Sequence, residues 1–377
     1  MGQGDKVLVT GGAGFIGSYV VDALVTKGHS VRIFDSLEPQ VHGKAQNAPE
    51  YLNPAAELVI GDVRDRSALQ DALEGMGVVF HYAAAVGVGQ SMYQIHRYVD
   101  ANTLGGATLL DILANERHQV RKLIVASSMS IYGEGKYECE ACGVAYPQLR
   151  SGEQLRQRRW EMLCPHCAGE MRPLPTDEDK PLHPTSIYAV TKRDHEEMFL
   201  CFGRAYGIPA VALRFFNVYG PRQALSNPYT GVAAIFSARL LNGEPPVIYE
   251  DGQQSRDFIH VQDVARASVL AMERHEADYE VLNVGTGRPL TIRRIAQVLI
   301  DKLAGGKVDP QVVGQYRQGD IRHCFADIGR IREQLGFEPE VTFEDGVADL
   351  ISWVREQEAT DGFHEVDREL RKKDLIL

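Results

Sequence analysis

The stretch TGGAGFIG (residues 10–17) decides the fold that this sequence predicts. It follows the β-branched run KVLVT (6–10), and apolar residues recur after it at helical spacing. A strand, a glycine turn and a helix are therefore expected in that order. The spaced glycines leave the turn without side chains, so that a pyrophosphate could approach the backbone and the free N–H groups of the helix beginning near Phe15.

The next strand-like run, VRIFD, ends at Asp35. A carboxylate at this position can bond both ribose hydroxyls of a dinucleotide and repel a 2′-phosphate, which favours NAD over NADP. A tight turn in an unrelated α/β protein is the alternative for the glycines alone. Further strand-like runs alternate with helical stretches, which predicts an α/β fold with a Rossmann-type doubly wound parallel sheet. The strand-like runs are LVIGDV (58–63), VVFHYAA (78–84) and KLIVASS (122–128), and the helical stretches are 68–73 and 103–115.

Composition argues against several classes of function. The 377 residues carry a formal net charge of -11 and no long Lys/Arg tract, so a nucleic-acid-binding surface is not indicated. No apolar run approaches the roughly 20 residues of a membrane span, and the N-terminal stretch lacks the apolar segment of a signal peptide. We therefore expect a cytoplasmic protein that binds neither nucleic acid nor a membrane.

Two later segments carry residues suited to proton transfer. The run 122–128 ends in Ser128, and Tyr188 and Lys192 stand four apart, on one face of a helix. A lysine ammonium beside a tyrosine, with the positive nicotinamide of NAD⁺ nearby, favours the phenolate. Tyr188 could then accept the proton of a substrate hydroxyl held by Ser128. A surface helix pair is the alternative for YxxxK, but the order of the motifs along the chain favours catalysis.

Nine motifs follow one another along nearly the whole chain. They are TGGAGFIG (10–17), GDVRD (61–65), HYAA (81–84), SSMSIYG (127–133), YAVTK (188–192), RFFNVYGPRQ (214–223), QSRDFIHVQDVA (254–265), LNVGTG (282–287) and RQGDIRHCFAD (317–327). In these motifs the chain resembles the extended short-chain dehydrogenase/reductase family, and within it the NAD-dependent nucleotide-sugar epimerases and dehydratases. The resemblance implies an NAD-dependent enzyme that acts on a nucleotide-activated sugar.

The resemblance also implies roles for individual residues. Ser128, Tyr188 and Lys192 match the family's catalytic positions. Arginines would meet the diphosphate, because their planar forks suit phosphate oxygens. The residues implied at the NAD site are Gly11, Gly14, Phe15, Ile16, Gly17, Asp35, Asp62, Val63, Ala83, Asn102, Tyr188 and Lys192. The residues implied at the substrate are Ser128, Ser130, Asn217, Arg256, Arg317, Asp320 and Cys324, of which Cys324 is alternatively a small core residue.

The residues after Ser128 bear on the reaction. The family's 4,6-dehydratases carry an Asp-Glu pair there, whereas Met129 and Ser130 cannot act as acid and base near neutral pH. A tightly held NAD that accepts and returns the same hydride suits epimerisation at C4, through a 4-keto sugar that turns in the pocket. A nucleotide 4-keto-sugar reductase and a non-catalytic NAD-binding regulator, whose insert recruits a partner, are the alternatives.

An insert separates Gly133 from Tyr188 and contains two CxxC pairs. Four thiolates in this pattern suit a structural Zn²⁺ in a small ribbon, because a Cys₄ site leaves no coordination position for substrate. A redox dithiol, a ribbon without metal, and a partner or nucleic-acid module using RQRRW (156–160) are the alternatives. The insert resembles those of dTDP-L-rhamnose 4-epimerases, which makes that sugar the first expected substrate, ahead of a UDP-hexose or UDP-N-acetylhexosamine. The four cysteines are Cys139, Cys142, Cys164 and Cys167.

The lobes of the protein are expected to be interleaved, because a segment near 254–287 returns to the sheet. The charged end EVDRELRKKD (365–374) predicts a solvated helix or tail without a site. We also expect a homodimer. The expected parts are an NAD-binding Rossmann domain (1–136), the zinc-ribbon-like insert (137–171), the catalytic helix with the continuation of the Rossmann domain (172–231), and a smaller, mainly substrate-binding lobe (232–377).

Overall fold

The computed structural model describes residues 4–43, 47–357 and 361–377. Its strands are β1 (Lys6–Thr10), β2 (Ser30–Asp35), β3 (Glu57–Ile60), β4 (Val78–His81), β5 (Lys122–Ser128), β6 (Lys136–Cys139), β7 (Gly143–Ala145), β8 (Arg172–Leu174), β9 (Ala210–Phe215), β10 (Asn217–Tyr219), β11 (Val247–Ile248), β12 (Ser255–His260), β13 (Val281–Val284), β14 (Pro289–Thr291), β15 (Gln311–Val312) and β16 (His323–Cys324).

The helices of the described ranges vary widely in length. None of them is both long and apolar enough to cross a membrane. They are α1 (Phe15–Thr26), α2 (Pro39–His42), α3 (Arg66–Leu73), α4 (Val88–Ser91), α5 (Ile95–Tyr98), α6 (Gly105–Asn115), α7 (Gly152–Arg156), α8 (Ile187–Tyr206), α9 (Val232–Leu241), α10 (Val261–Glu273), α11 (Ile292–Leu303), α12 (Gly329–Leu335), α13 (Phe343–Val354) and α14 (Phe363–Lys372).

Seven parallel strands form the central sheet, in the order β13-β9-β5-β4-β1-β2-β3. The strand order reverses between β1 and β4, and such a reversal opens the crevice in which α/β sheets bind ligands. β5 and β9 are buried along their whole length, as expected of strands in a parallel sheet covered on both faces. The predicted α/β doubly wound sheet is confirmed.

Alternate residues of each strand enter two different apolar cores. In β1, Val7 and Val9 belong to the core beneath α1 and α10, whereas Leu8 belongs to the core beneath α3, α6 and α8. The sheet is therefore covered by helices on both faces, and its carboxyl-end edge is left for the loops that follow the strands. β3 and β4 end earlier than the predicted strands 58–63 and 78–84, because the chain leaves the sheet there to form these loops.

A second lobe lies beyond β9 and has its own sheet and core. β12 pairs with β10, β14 and β16, while Phe236, Phe258, Ile295 and Leu350 pack together in a third apolar cluster. Of the segment near 254–287 that was expected to return to the central sheet, only β13 does so. It occupies the position beside β9, and β12 pairs instead with β10, which directly follows β9 in the chain.

The insert and the residues that flank it form a small three-stranded sheet, β7-β6-β8, whose pairs are antiparallel. Leu163 pairs with Glu170 around the second CxxC motif. Few apolar side chains are buried with these strands, so the segment has little core of its own to stabilise it. Its buried cluster consists of Tyr137, Cys139, Ala145, Met162, Cys164 and Met171.

A buried ion pair fixes the long helix α8 on the central sheet. Arg214 on β9 donates from Nη2 and Nε to the Glu196 carboxylate on α8, at 2.6 and 3.0 Å. The Ser127 hydroxyl on β5 donates to the same carboxylate at 2.8 Å. Arg214 Nη1 also donates to the Tyr132 hydroxyl at 2.8 Å and to the Glu178 carbonyl at 3.0 Å. One carboxylate on α8 thus binds two neighbouring strands.

Replacing Arg214 should destabilise the whole protein, because it leaves the Glu196 carboxylate buried without its charge partner. We expect Arg214→Met to lower the free energy of unfolding by about 3–5 kcal/mol, measured by urea denaturation. Arg193→Met, which removes an exposed ion pair with Glu197 on the same helix, should cost less than about 1 kcal/mol. Equal losses in the two variants would contradict the role given to the buried pair.

Candidate active site

A cavity of about 720 Å³ runs along the carboxyl ends of the central strands and into the second lobe. Most of the residues predicted for the cofactor and the substrate are brought together on its wall. The predicted cofactor residues on the wall are Gly11, Gly14, Phe15, Ile16, Gly17, Asp35, Asp62, Val63, Ala83, Tyr188 and Lys192. The predicted substrate residues on the wall are Ser128, Ser130, Asn217, Arg256, Arg317 and Asp320.

Two predicted site residues, Asn102 and Cys324, lie behind this wall. Asn102 is fully buried, and its amide accepts from the backbone N–H of Ala85 at 2.7 Å and donates to the Ala85 carbonyl at 3.1 Å. Because Ala85 is a wall residue, Asn102 shapes the cavity without lining it. Cys324 is buried in the core, with its sulfur 3.8 Å from the Thr176 hydroxyl. The structure therefore places Cys324 as the small core residue that was the alternative interpretation.

The glycine turn has the geometry that a dinucleotide requires. Gly11 adopts a φ of +70°, and a Cβ on Gly17 would lie 2.2 Å from the Gly11 carbonyl oxygen, so side chains are excluded at both positions. The turn leads into the N-terminus of α1, whose free N–H groups suit an anion. The Asp35 carboxylate accepts from the backbone N–H groups of Ala13 at 3.0 Å and Leu37 at 2.9 Å, which fixes it beside the turn. The glycine turn, the N-terminus of α1 and Asp35 are therefore suited to binding NAD.

Ser128, Tyr188 and Lys192 meet on the cavity wall. Ser128 is the last residue of β5, and its hydroxyl accepts from the Ser130 hydroxyl at 2.9 Å. Tyr188 lies in the first turn of α8, whose N-terminus is capped by the Ser186 hydroxyl. One turn later, Lys192 Nζ donates to the Ala126 carbonyl at 2.9 Å. A hydroxyl, a phenol and an amine therefore face one region of the cavity.

Burial controls the protonation of this cluster in the protein alone. Burial raises the pKa of Tyr188, and the hydrogen bond with Ser128 opposes this rise. Burial lowers the pKa of Lys192 to about 7. The lowered tyrosine pKa expected from the sequence is thus not a property of the protein alone, because the lysine amine is directed to a backbone carbonyl and is itself desolvated.

Three side-chain amide oxygens on the wall are suited to a polyhydroxyl ligand. The Oδ1 of Asn217 and the Oε1 atoms of Gln223 and Gln254 are buried and have no hydrogen-bond partner among the described residues. A buried carbonyl oxygen without a donor is unfavourable, and hydroxyl groups of a bound sugar or nucleoside would satisfy it. Asn217, which the sequence predicts as a substrate residue, is one of the three.

The predicted phosphate-binding arginines lie at the end of the cavity in the second lobe. Arg256 donates to the carbonyl oxygens of Ser255, Ile321 and Arg322, at 2.7 to 2.9 Å. Arg317 Nε pairs with the Asp320 carboxylate at 2.8 Å and is partly exposed. Arg256 therefore holds the chain around 321–322 in place, while Arg317 is more available to an anion.

Helix α14 contributes to the cavity wall, although the charged end was expected to be a solvated helix or tail without a site. Its Asp367 carboxylate accepts from the hydroxyl of Tyr249, another wall residue, at 2.9 Å. Apolar residues spaced three and four apart gave a signal for a packed helix face, but the many charges around them obscured it. The wall residues of α14 are Phe363, Val366, Asp367 and Leu370.

Comparisons with known proteins bear on the family to which the chain belongs. The family model described as "NAD dependent epimerase/dehydratase family" matches residues 7–148 and 160–285. The chain is 34% identical to a dTDP-L-rhamnose 4-epimerase of Burkholderia thailandensis, over 94% of this chain and 96% of the relative. It is also similar to the crystal structure of a Thermotoga maritima UDP-glucose 4-epimerase with UDP-glucose, with 33% identity, 93% and 99% coverage and a TM-score of 0.74.

A second solved structure has a cofactor bound. The UDP-glucose 4-epimerase of Thermus thermophilus, in complex with NAD, is 29% identical, with 93% of this chain and 99% of that chain covered and a TM-score of 0.73. The resemblance inferred from the motifs is therefore confirmed. The matched family model and the shared fold show that the chain belongs to the NAD dependent epimerase/dehydratase family.

Proposed function

We propose that the protein is an NAD-dependent 4-epimerase of a nucleotide-activated hexose. The observation that carries this proposal is the meeting of Ser128 and Tyr188 on one wall with a complete dinucleotide-binding turn. Met129 and Ser130 follow Ser128, so the acid and base of a dehydratase are missing at these positions. The relatives described above, which are named 4-epimerases, support the same reaction.

Different residues of the cavity wall would have different roles in the reaction. The glycine turn and Asp35 would hold NAD, which supplies a hydride acceptor and donor. Ser128, oriented by the Ser130 hydroxyl, would hold the C4 oxygen of the sugar. Tyr188 would remove the proton of the C4 hydroxyl and later return it. Inversion then requires the 4-keto sugar to turn over in the cavity between the two proton transfers.

We propose dTDP-L-rhamnose as the first substrate to test. The named activity of the Burkholderia relative and the resemblance of the insert support this choice. UDP-glucose is one alternative substrate, because the Thermotoga structure is of a UDP-glucose 4-epimerase. UDP-N-acetylglucosamine represents the UDP-N-acetylhexosamine alternative that the sequence left open.

Incubation with these three sugar nucleotides, followed by NMR, should show inversion at C4 with at least one of them.

Tyr188→Phe should lower kcat at least about 100-fold, because it removes the proton acceptor. The variant should still contain the NAD of the wild-type protein, since the ring remains packed near Tyr98. Tyr206→Phe, at the exposed end of the same helix, is the matched control and should retain full activity.

Two results would contradict this proposal. Absence of turnover with every dTDP- and UDP-hexose tested would favour the non-catalytic NAD-binding regulator. Stoichiometric consumption of NADH or NADPH would instead indicate a 4-keto-sugar reductase.

We propose that the four cysteines of the insert bind a structural zinc ion. Their sulfur atoms lie within 4.8 Å of one another, and those of Cys139 and Cys167 are 3.5 Å apart. A tetrahedral site with Zn–S bonds of about 2.3 Å requires sulfur atoms about 3.8 Å apart, which this cluster can provide. Because the insert has few buried apolar side chains, metal binding would supply much of its folding free energy.

Elemental analysis of the purified protein should find about one zinc ion per chain. Cys164→Ser should abolish this zinc and increase proteolytic cleavage of the insert, because the ribbon loses its main source of stability. Cys201→Ser, which changes an exposed cysteine outside the cluster, should leave zinc content and cleavage unchanged. A wild-type protein without metal whose insert resists proteolysis would overturn the zinc proposal.

We propose a homodimer formed through α5, α8 and the π-helical turn Val99–Leu104. Four large apolar side chains are exposed on these elements. Ile95 lies on α5, Val99 and Leu104 lie on the turn, and Val190 lies on α8. The Thr103 hydroxyl joins this turn to α8 through Asp194 at 2.8 Å. An exposed apolar patch on a soluble protein is typical of an interface.

Light scattering during size-exclusion chromatography should give a wild-type dimer. Leu104→Glu should give a monomer, because a charge would be buried at the proposed interface. Val144→Glu changes an exposed apolar residue of the insert and should remain dimeric. Dissociation caused by Val144→Glu, and not by Leu104→Glu, would place the interface on the insert instead.

A further inference from the structure

The part of the insert after its second strand packs on the chain segment that carries Arg317 and Asp320. Arg150 makes the central contact, and its side chain is only 1% exposed. Its Nη1 donates to Glu250 at 2.9 Å and to the Trp160 carbonyl at 3.0 Å. Its Nη2 donates to Glu250 at 2.8 Å and to the Asp320 carbonyl at 3.2 Å. One guanidinium therefore connects three separate stretches of the chain.

Glu161 provides a second connection between the insert and this segment. Its carboxylate pairs with Arg322 Nη2 at 2.5 Å and with His323 Nε2 at 3.0 Å. Burial opposes ionisation, but the hydrogen bonds from His323 and Arg322 lower the pKa of Glu161 to about 2. The fully buried Arg322 side chain also pairs with Glu250 at 2.9 Å and with Asp251 at 2.7 Å. The insert thus holds the chain on the carboxyl side of Asp320 through the Glu161 carboxylate, which is ionised at neutral pH.

The insert itself does not form the wall of the cavity. None of the residues 137–171, all of which the structure describes, lines it, whereas Glu250, Arg317, Asp320 and Ile321 do. The insert therefore acts on a bound ligand only through the segment that it holds. Arg150 also lies within residues 149–159, which the family model does not match, so its role is not part of the matched family pattern.

We propose that Arg150 is a positioning residue for the nucleotide end of the substrate. It holds the 316–323 segment so that Arg317 and Asp320 are presented to a nucleoside diphosphate. This inference rests on the proposed function, and it assigns the insert to substrate affinity rather than to the chemistry at C4. Arginine suits the role because its planar fork reaches several acceptors at once, whereas a lysine amine is a single point charge.

Three variants separate positioning from general stability. Arg150→Lys keeps a positive charge beside Glu250 but cannot reach the Trp160 and Asp320 carbonyls together. Arg150→Ala removes every contact of the guanidinium. Arg159→Ala changes an exposed arginine of the same insert and is the matched control.

We expect Arg150→Lys to melt near the wild-type temperature. Its KM for the sugar nucleotide and its Kd for dTDP or UDP, measured by calorimetry, should rise about tenfold, as expected for the loss of a charge-assisted hydrogen bond. The value of kcat should stay within about twofold of wild type, because Ser128 and Tyr188 are unchanged. Hydrogen exchange of residues 316–323 should be faster in both Arg150 variants and unchanged in Arg159→Ala.

The possible failures can be told apart. Wild-type binding of dTDP or UDP that both Arg150 variants leave unchanged would overturn the positioning role alone. A fall in kcat with an unchanged KM would overturn it as well. A wild-type protein that binds neither dTDP nor UDP would overturn the proposed function, and with it the nucleotide role of Arg150.

Discussion

The arrangement of the candidate active site depends on the buried carboxylate of Glu196. It accepts hydrogen bonds from Ser127 on β5 and from Arg214 on β9, and these bonds fix the position of helix α8 on the sheet. Ser128 follows Ser127, and Tyr188 lies two turns before Glu196 on the same helix. Burying this ion pair costs desolvation free energy, and the additional hydrogen bonds of Arg214 to Tyr132 and to the Glu178 carbonyl oppose this cost. The pair therefore specifies geometry more than it adds stability.

The same burial sets the electrostatic character of the site. Desolvation raises the pKa of Tyr188 and lowers the pKa of Lys192 to about 7. The Lys192 amine, with a pKa of about 7, can therefore take up or release a proton near neutral pH, whereas the Tyr188 phenol keeps its proton in the protein alone.

The sequence predicts those features that depend on local chemistry. The glycine turn, the ends of β1, β2 and β5, and the Tyr188–Lys192 pair were predicted because backbone geometry and helical spacing show them within a few residues. The cysteine cluster was predicted because metal ligation requires a fixed spacing. Arg150 and Glu250 are 100 residues apart, and nothing near either residue signals their contact. The same holds for α14, whose place on the cavity wall depends on the packing of the second lobe.

The position of β13 at the edge of the central sheet has a consequence for how the protein is made. β13 pairs with β9, yet β10, β12 and α9 of the second lobe lie between them in the chain. During synthesis, the central sheet cannot be completed until β10, α9 and β12 have been made. Pairing between strands so far apart in the chain slows folding. A chain stopped between the two strands would have an incomplete sheet and an incomplete cavity.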